Sequence, residues 1–278
     1  MVKIVTDTLS DIPAQLAQDL GISVVPLNVH FGTEYYRDTI DMSTEEFYRR
    51  LTTDEVFPTT SAPPPGTFVD LFTRLADETD AILAIMTSSK FSAVHESALQ
   101  AQAIIKLDCQ IEVIDSLLAI GGLMLVVIMA ANAAKEGAGL AQISDMVRKA
   151  TPRAHTRMAF DTLEYLRRGG RIGKAQALLG SLLKVNPILG VEDGEVLPVK
   201  RTRSRGQAMD FLVDFVKSSP RIESLIIEDA TTPDEADMLV GLVSEVFPKE
   251  HIFRSKVSPV VGAHVGPHVL AVSILEGG

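Results

Sequence analysis

Residues 117–134 read LLAIGGLMLVVIMAANAA, without one charged side chain. A helix this apolar must be covered on every side, by lipid if it spans a bilayer or by the rest of its own chain if it does not. Gly121, Gly122 and Asn132 interrupt the run, and a strand-like segment at 111–114, closed by Asp115, leads into it. The segment is therefore expected to be the buried helix of an α/β domain, with no membrane span.

The surrounding sequence supplies the cover. Short continuous apolar runs at 2–5 (VKIV), 22–29, 81–86 (AILAIM) and 111–114 (IEVI) read as buried strands of the parallel type. Between them lie helix patterns. One has Ser10 or Asp11 as its cap, Pro13 in its first turn and Gly21 after its end. A second, at 41–51, carries Ser43 with Glu46 as a capping box. Others cover 68–76 and the stretch from Ser92 to about Leu107. Strands alternating with helices predict a doubly wound, mainly parallel sheet over residues 1–152.

A helix at 144–149 and then Thr151-Pro152 mark the boundary. Residues 153–278 read differently, with a strand at 157–160 and a hairpin at 188–199 around Asp193-Gly194. A helix from Gln207, a strand at 225–228, a helix at 233–246 and strands at 252–257 and 269–274 follow. The expected whole is an α/β protein of two domains, the second an α+β domain with a mixed or antiparallel sheet.

Composition narrows the function. A net charge of −10, from 26 basic and 36 acidic residues, excludes general nucleic-acid binding, which needs a basic face. A single cysteine, Cys109, excludes an internal disulfide and a cysteine zinc site. The opening MVKIVTDT lacks the plan of a signal peptide, so a cytoplasmic protein is expected. No G-x-S-x-G elbow, P-loop, G-x-G-x-x-G or H-E-x-x-H occurs. Neither a metal nor a cofactor is expected.

The remaining candidates favour anions. In DTLEYLRRGGRIGKAQALLGSLLKVNPIL, residues 161–189, Asp161 or Thr162 caps a short helix that Gly169-Gly170 ends. A second helix is expected to carry Ala175, Leu178, Leu179, Leu182 and Leu183 on one face and to stop at Pro187. Arg171 sits between the two, where a guanidinium and a helix start both attract a carboxylate or phosphate. Thr60 and Ser61, in the proline-rich loop 57–66, and Ser89 and Ser92, in the loop after strand 81–86, place hydroxyls before helix starts. Each serine alone reads more readily as an N-cap. Arg201, Arg203 and Arg205 alternate at a strand end, and His264 lies in the glycine-bracketed loop PVVGAHVGP. A Ser92, His264 and Asp7 triad is conceivable, but the chain lacks the elbow that would present its serine.

Together KIVTDTLSDIP, VVPLNVHFG, YRD, TTSAPPPGTF, SSKFSAVHESA, IDS, the segment 161–189, RTRSR and GAHVGP resemble the DegV family along essentially the whole chain. The resemblance implies two α/β domains and a long-chain fatty acid in a buried tunnel, its carboxylate held by Thr60, Ser61, Ser92, Arg171, Arg203 and His264. It also implies a partner, a fatty acid kinase that converts the bound acid to an acyl phosphate for phospholipid synthesis, so that this chain is not itself the catalyst. Ala93-Val94 stands in place of the family's usual Gly-Thr, Ala62-Pro63-Pro64 in place of a more polar run, and His268 in place of a closing glycine. The competing reading is a small-molecule hydrolase or transferase using Ser92 and His264.

Overall fold

The structure, a computed structural model, describes residues 1–181 and 186–278. Its first sheet has four parallel strands in the order β2-β1-β6-β7, formed by β1 (Lys3–Asp7), β2 (Ile22–Val25), β6 (Ala81–Met86) and β7 (Gln110–Asp115). The apolar run expected at 22–29 divides after Val25. Its second part becomes β3 (Asn28–Phe31), which turns back into β4 (Glu34–Arg37) and pairs on its other side with β5 (Thr59–Ser61). Pro26 explains the break, because it has no N–H for the parallel ladder.

Helices α1 (Ala14–Leu20), α2 (Thr44–Thr53), α3 (Pro65–Ala76) and α4 (Val94–Ile104) fill the connections. Ser43 caps α2 as expected, accepting the Glu46 N–H at 3.1 Å, while the Glu46 carboxylate turns to Arg49. The cap proposed for α1 is overturned. The Ser10 hydroxyl donates to the Asp7 carbonyl, and the Asp11 carboxylate accepts the N–H of Ser258, from the other half of the chain.

The apolar run forms α5 (Ile120–Lys135), followed by α6 (Leu140–Ala150). Helix α5 packs on β1 on one side and on the strands β8 (Ala154–Ala159), β11 (Ile222–Asp229) and β13 (Leu270–Glu276) on the other. Gly121 and Gly122 allow that approach, since a Cβ on either would meet Glu228, Ile226 or Thr156 inside normal contact distance. Among the described residues no helix is long and apolar enough to cross a membrane.

The second sheet is mixed, in the order β10-β9-β8-β13-β11-β12, with only β11 and β12 (Ile252–Lys256) parallel. Strands β9 (Asn186–Glu192) and β10 (Glu195–Thr202) form the hairpin, and Asp193 and Gly194 both take positive φ, as a two-residue turn of this kind requires. Pro187 lies inside β9 rather than after a helix. The short helix α7 (Glu164–Arg168) is followed by Gly170 at φ 71°, and Thr162, not Asp161, accepts the Glu164 N–H. The second helix of that stretch is a 3-10 helix over Gly173–Ser181, and Leu182 and Leu183 lie outside the described residues.

Helices α8 (Arg205–Ser218) and α9 (Pro233–Val243) back this sheet. The loop expected around His264 is instead a helix, α10 (Pro259–Val265), which packs against α2, α7 and β3. Proline at its first position and the Asp11 carboxylate on the amide of its N-cap residue, Ser258, explain the helix that the two glycines obscured.

Candidate functional site

Residues from both halves enclose a cavity of about 290 Å³. Its wall is apolar, with Leu27, Ile120, Met158, Val191, Val196 and Val260 among it, apart from Thr60, Ser61, Ser92, Arg171 and His264.

Thr60, His264, Arg171 and Ser92 are each fixed by hydrogen bonds. The Thr60 hydroxyl lies 2.8 Å from His264 Nε2. Arg171 donates from Nε to the Phe91 carbonyl at 3.1 Å and from Nη1 to the Gly169 carbonyl at 2.7 Å. Phe91 precedes Ser92, whose Oγ accepts the Val94 N–H at 3.3 Å at the start of α4. Burial, and then the nearby Arg171 charge, pull the His264 pKa down to about 4, so the ring is neutral at pH 7. A permanent cation and two hydroxyls, one of them backed by the neutral imidazole, can hold one carboxylate through charge-assisted hydrogen bonds.

Ser61 borders the cavity, but its hydroxyl faces the other way. Successive strand residues point to opposite sides of a sheet. Thr60 reaches His264, whereas the Ser61 Oγ is met by His30 Nε2 at 2.9 Å and Asn28 Nδ2 at 3.4 Å. Two other candidates lie outside the cavity wall. Ser89 is exposed, its N–H donating to Asp115. Arg203 is exposed beyond the end of β10, and Arg205 opens α8 in ion pairs with Glu235 and Asp161. The alternation of the three arginines on one strand face therefore does not form, because β10 stops at Thr202 and Ser204 caps the helix. His268 pairs with Asp161 at 3.0 Å and is not part of the cavity wall.

The triad is not assembled. Among the described residues His264 Nδ1 has no hydrogen-bond partner, and Asp7 is occupied by Thr87 and the Leu9 N–H. Among the described residues no group of His, Cys, Asp and Glu is placed to hold a metal ion.

Three contributors escaped the sequence reading. The Phe91 carbonyl aims Arg171, and nothing in a sequence marks a carbonyl. Ile120 lines the cavity at φ 46°, a strained value for a β-branched residue. Gly169, which the sequence marks only as a helix stop, lies against the His264 ring.

The architecture and the sequence lead to the same relatives. The chain is 35% identical over 290 residues to a DegV domain-containing protein of Caldanaerobacter subterraneus subsp. tengcongensis, covering 99% of both. It is 30% identical over 281 residues to the protein DegV of Bacillus subtilis, covering 98% of both. Its fold superposes on a DegV family protein of Thermus thermophilus, described as binding fatty acid, with a TM-score of 0.91, 28% identity and 99% of both chains covered. It superposes equally on DegV of Bacillus subtilis, described as a fatty acid binding protein, with a TM-score of 0.90, 27% identity and 99% of both covered. With residues 1–277 also matching the pattern of the DegV family, a family of uncharacterised proteins, the chain belongs to that family.

Proposed function

We propose that this protein binds a long-chain fatty acid in the cavity, with the carboxylate at Thr60, Ser92 and Arg171, His264 supporting Thr60, and the tail along the apolar wall. The observation that carries the reading is the composition of that wall: an arginine, a histidine and a few hydroxyls on an otherwise apolar cavity. A tail gains about 0.8 kcal/mol for each methylene buried, so a long acyl chain binds tightly without any chemistry. The fatty-acid binding described for the Thermus and Bacillus relatives supports it.

In this reading the protein is a cytoplasmic carrier divided near residue 152. A fatty acid kinase then phosphorylates the bound carboxylate, and the acyl phosphate serves phospholipid synthesis. Arg171 suits both ligands, since acid and acyl phosphate are both anions. Arg203, exposed and outside the cavity wall, is assigned to the surface that meets the kinase.

Native mass spectrometry of the purified protein, followed by release of the bound material, tests the binding. One fatty acid per chain is expected, and its loss in Ser92→Ala and Arg171→Ala. A protein that comes empty and takes up neither oleate nor palmitate excludes the reading. Incubation with a fatty acid kinase and ATP, with acyl phosphate trapped by hydroxylamine, tests the partnership.

A further inference from the structure

Gly169 touches both charged or polarisable groups of the anion site. Its carbonyl accepts Arg171 Nη1 at 2.7 Å. On its Cα side, a Cβ would lie well inside contact distance of His264 Nδ1 and 3.0 Å from Cε1. Its backbone does not demand glycine, because φ is −75° and ψ is −8°, in the right-handed helical region open to any residue. The neighbouring Gly170 is the converse: φ is 71° and nothing lies within 4 Å of where its Cβ would be. Of the pair, Gly170 serves the turn and Gly169 serves the histidine.

The contact also bears on the proton. His264 Nδ1 is buried without a hydrogen-bond partner among the described residues, while Nε2 faces Thr60 Oγ1. An orphaned acceptor is better tolerated than an orphaned donor. The neutral ring therefore carries its hydrogen on Nε2 and donates it to Thr60 Oγ1. The Thr60 hydroxyl hydrogen is then left free to donate to a ligand oxygen.

We propose that Gly169 is a positioning residue: by leaving its side-chain space to the His264 ring it seats that ring against Thr60 in the Nε2–H form, and so makes Thr60 a donor to the bound anion. The inference rests on the fatty-acid reading for its last step only, since the seating of the ring is a property of the empty protein.

The test is a double-mutant cycle with Gly169→Ala and His264→Ala, using Gly170→Ala as the control. Nitrogen-15 NMR of the His264 ring in the ligand-free protein reads its tautomer and position, and displacement of a fluorescent fatty acid reads affinity. Gly169→Ala is expected to move both ring nitrogen resonances and to weaken binding at least tenfold. Gly170→Ala is expected to lower stability while leaving the resonances in place and affinity within about twofold. In the His264→Ala background the added methyl still meets the Tyr165 carbonyl, at 3.1 Å, and Gly169→Ala is expected to fold with a small loss of stability and to cost no further affinity. Unchanged ring resonances in Gly169→Ala, or an equal loss of affinity with His264 already removed, overturns the proposal. If no fatty acid binds to any form, the functional reading fails, and the NMR comparison still decides the positioning role.

Discussion

The Thr60 hydroxyl and His264 Nε2 lie 2.8 Å apart although 204 positions separate them in the chain. One comes from an edge strand of the small antiparallel sheet and the other from the last helix, α10. Thr60→Val keeps the shape of the side chain and removes the hydroxyl. It is expected to weaken fatty-acid binding about tenfold, on the order of 1–2 kcal/mol for one lost hydrogen bond to a charged group. The empty protein is also expected to lose about 1–3 kcal/mol of stability, because the His264 Nε2–H is left without its acceptor. An affinity within twofold of the parent in a competition titration would remove Thr60 from the site.

His264 is expected to titrate near pH 4 rather than near its ordinary value. Its lowered pKa means that the unfolded chain binds a proton that the folded protein refuses. The stability that depends on the neutral ring is therefore full above about pH 6.5 and is lost as pH falls toward 4. NMR titration of the ring checks this directly. A midpoint at or above 6 contradicts the buried placement, and fatty-acid affinity that follows a His264 titration between pH 6 and 8 contradicts the neutral state.

The acyl chain length is read by the apolar wall. From octanoate upward each added methylene is expected to tighten binding about fourfold, the equivalent of about 0.8 kcal/mol. The gain stops when the cavity is full. Calorimetry over a series of saturated acids gives the slope and the break, and a flat series means that the tail lies elsewhere.

Behind the cavity, Asp11, Asp38 and Glu228 are buried together, and burial pushes all three pKa values up, Asp38 to about 7 and Glu228 to about 8. The folded protein then holds protons that the unfolded chain has shed, so stability is full below about pH 4 and drains as pH rises toward 8. Glu228→Gln keeps an acceptor for the Gly121 N–H, now made by Glu228 at 2.9 Å. It is expected to raise stability at pH 8 by on the order of 1–2 kcal/mol and to leave it nearly unchanged at pH 4. Urea midpoints across that range give the slope, and an unchanged slope means that Glu228 does not carry the proton.

The hairpin turn docks onto the loop after β6. The Ser88 hydroxyl donates to the Gly194 carbonyl at 3.0 Å, and a Cβ at Gly194, where φ is 76°, would strike the Ser88 oxygen. Gly194→Ala is expected to cost about 1–3 kcal/mol in urea unfolding. Measured against Ser88→Ala, which removes the clash together with its hydrogen bonds, Gly194→Ala should cost only the backbone strain of about 1 kcal/mol. An equal cost in both backgrounds would place the whole of it in the backbone.

Local physics made much of this protein legible in its residues. The uncharged run at 117–134 had to be a covered helix, and it became α5 between two sheets. AILAIM gave β6 with the bounds read from the sequence, Ser43 gave the cap of α2, and Asp193-Gly194 gave the hairpin. Each of these depends on contacts within a few residues or on a hydrophobic period, which a sequence displays. Whether Ser61 or Thr60 faced the cavity depended on the pairing of β5 with β3, and whether Asp11 capped the nearby α1 or the distant α10 depended on the approach of the two halves. The same holds for His264, which the sequence placed in a loop and the packing of α10 on α2 and α7 put on a helix, and for Gly169, whose missing side chain matters only because that ring rests on it. Short-range preferences fix elements. The direction of a hydroxyl and the seat of an imidazole are set by neighbours about two hundred residues away or fewer, and only the tertiary structure brings those into contact.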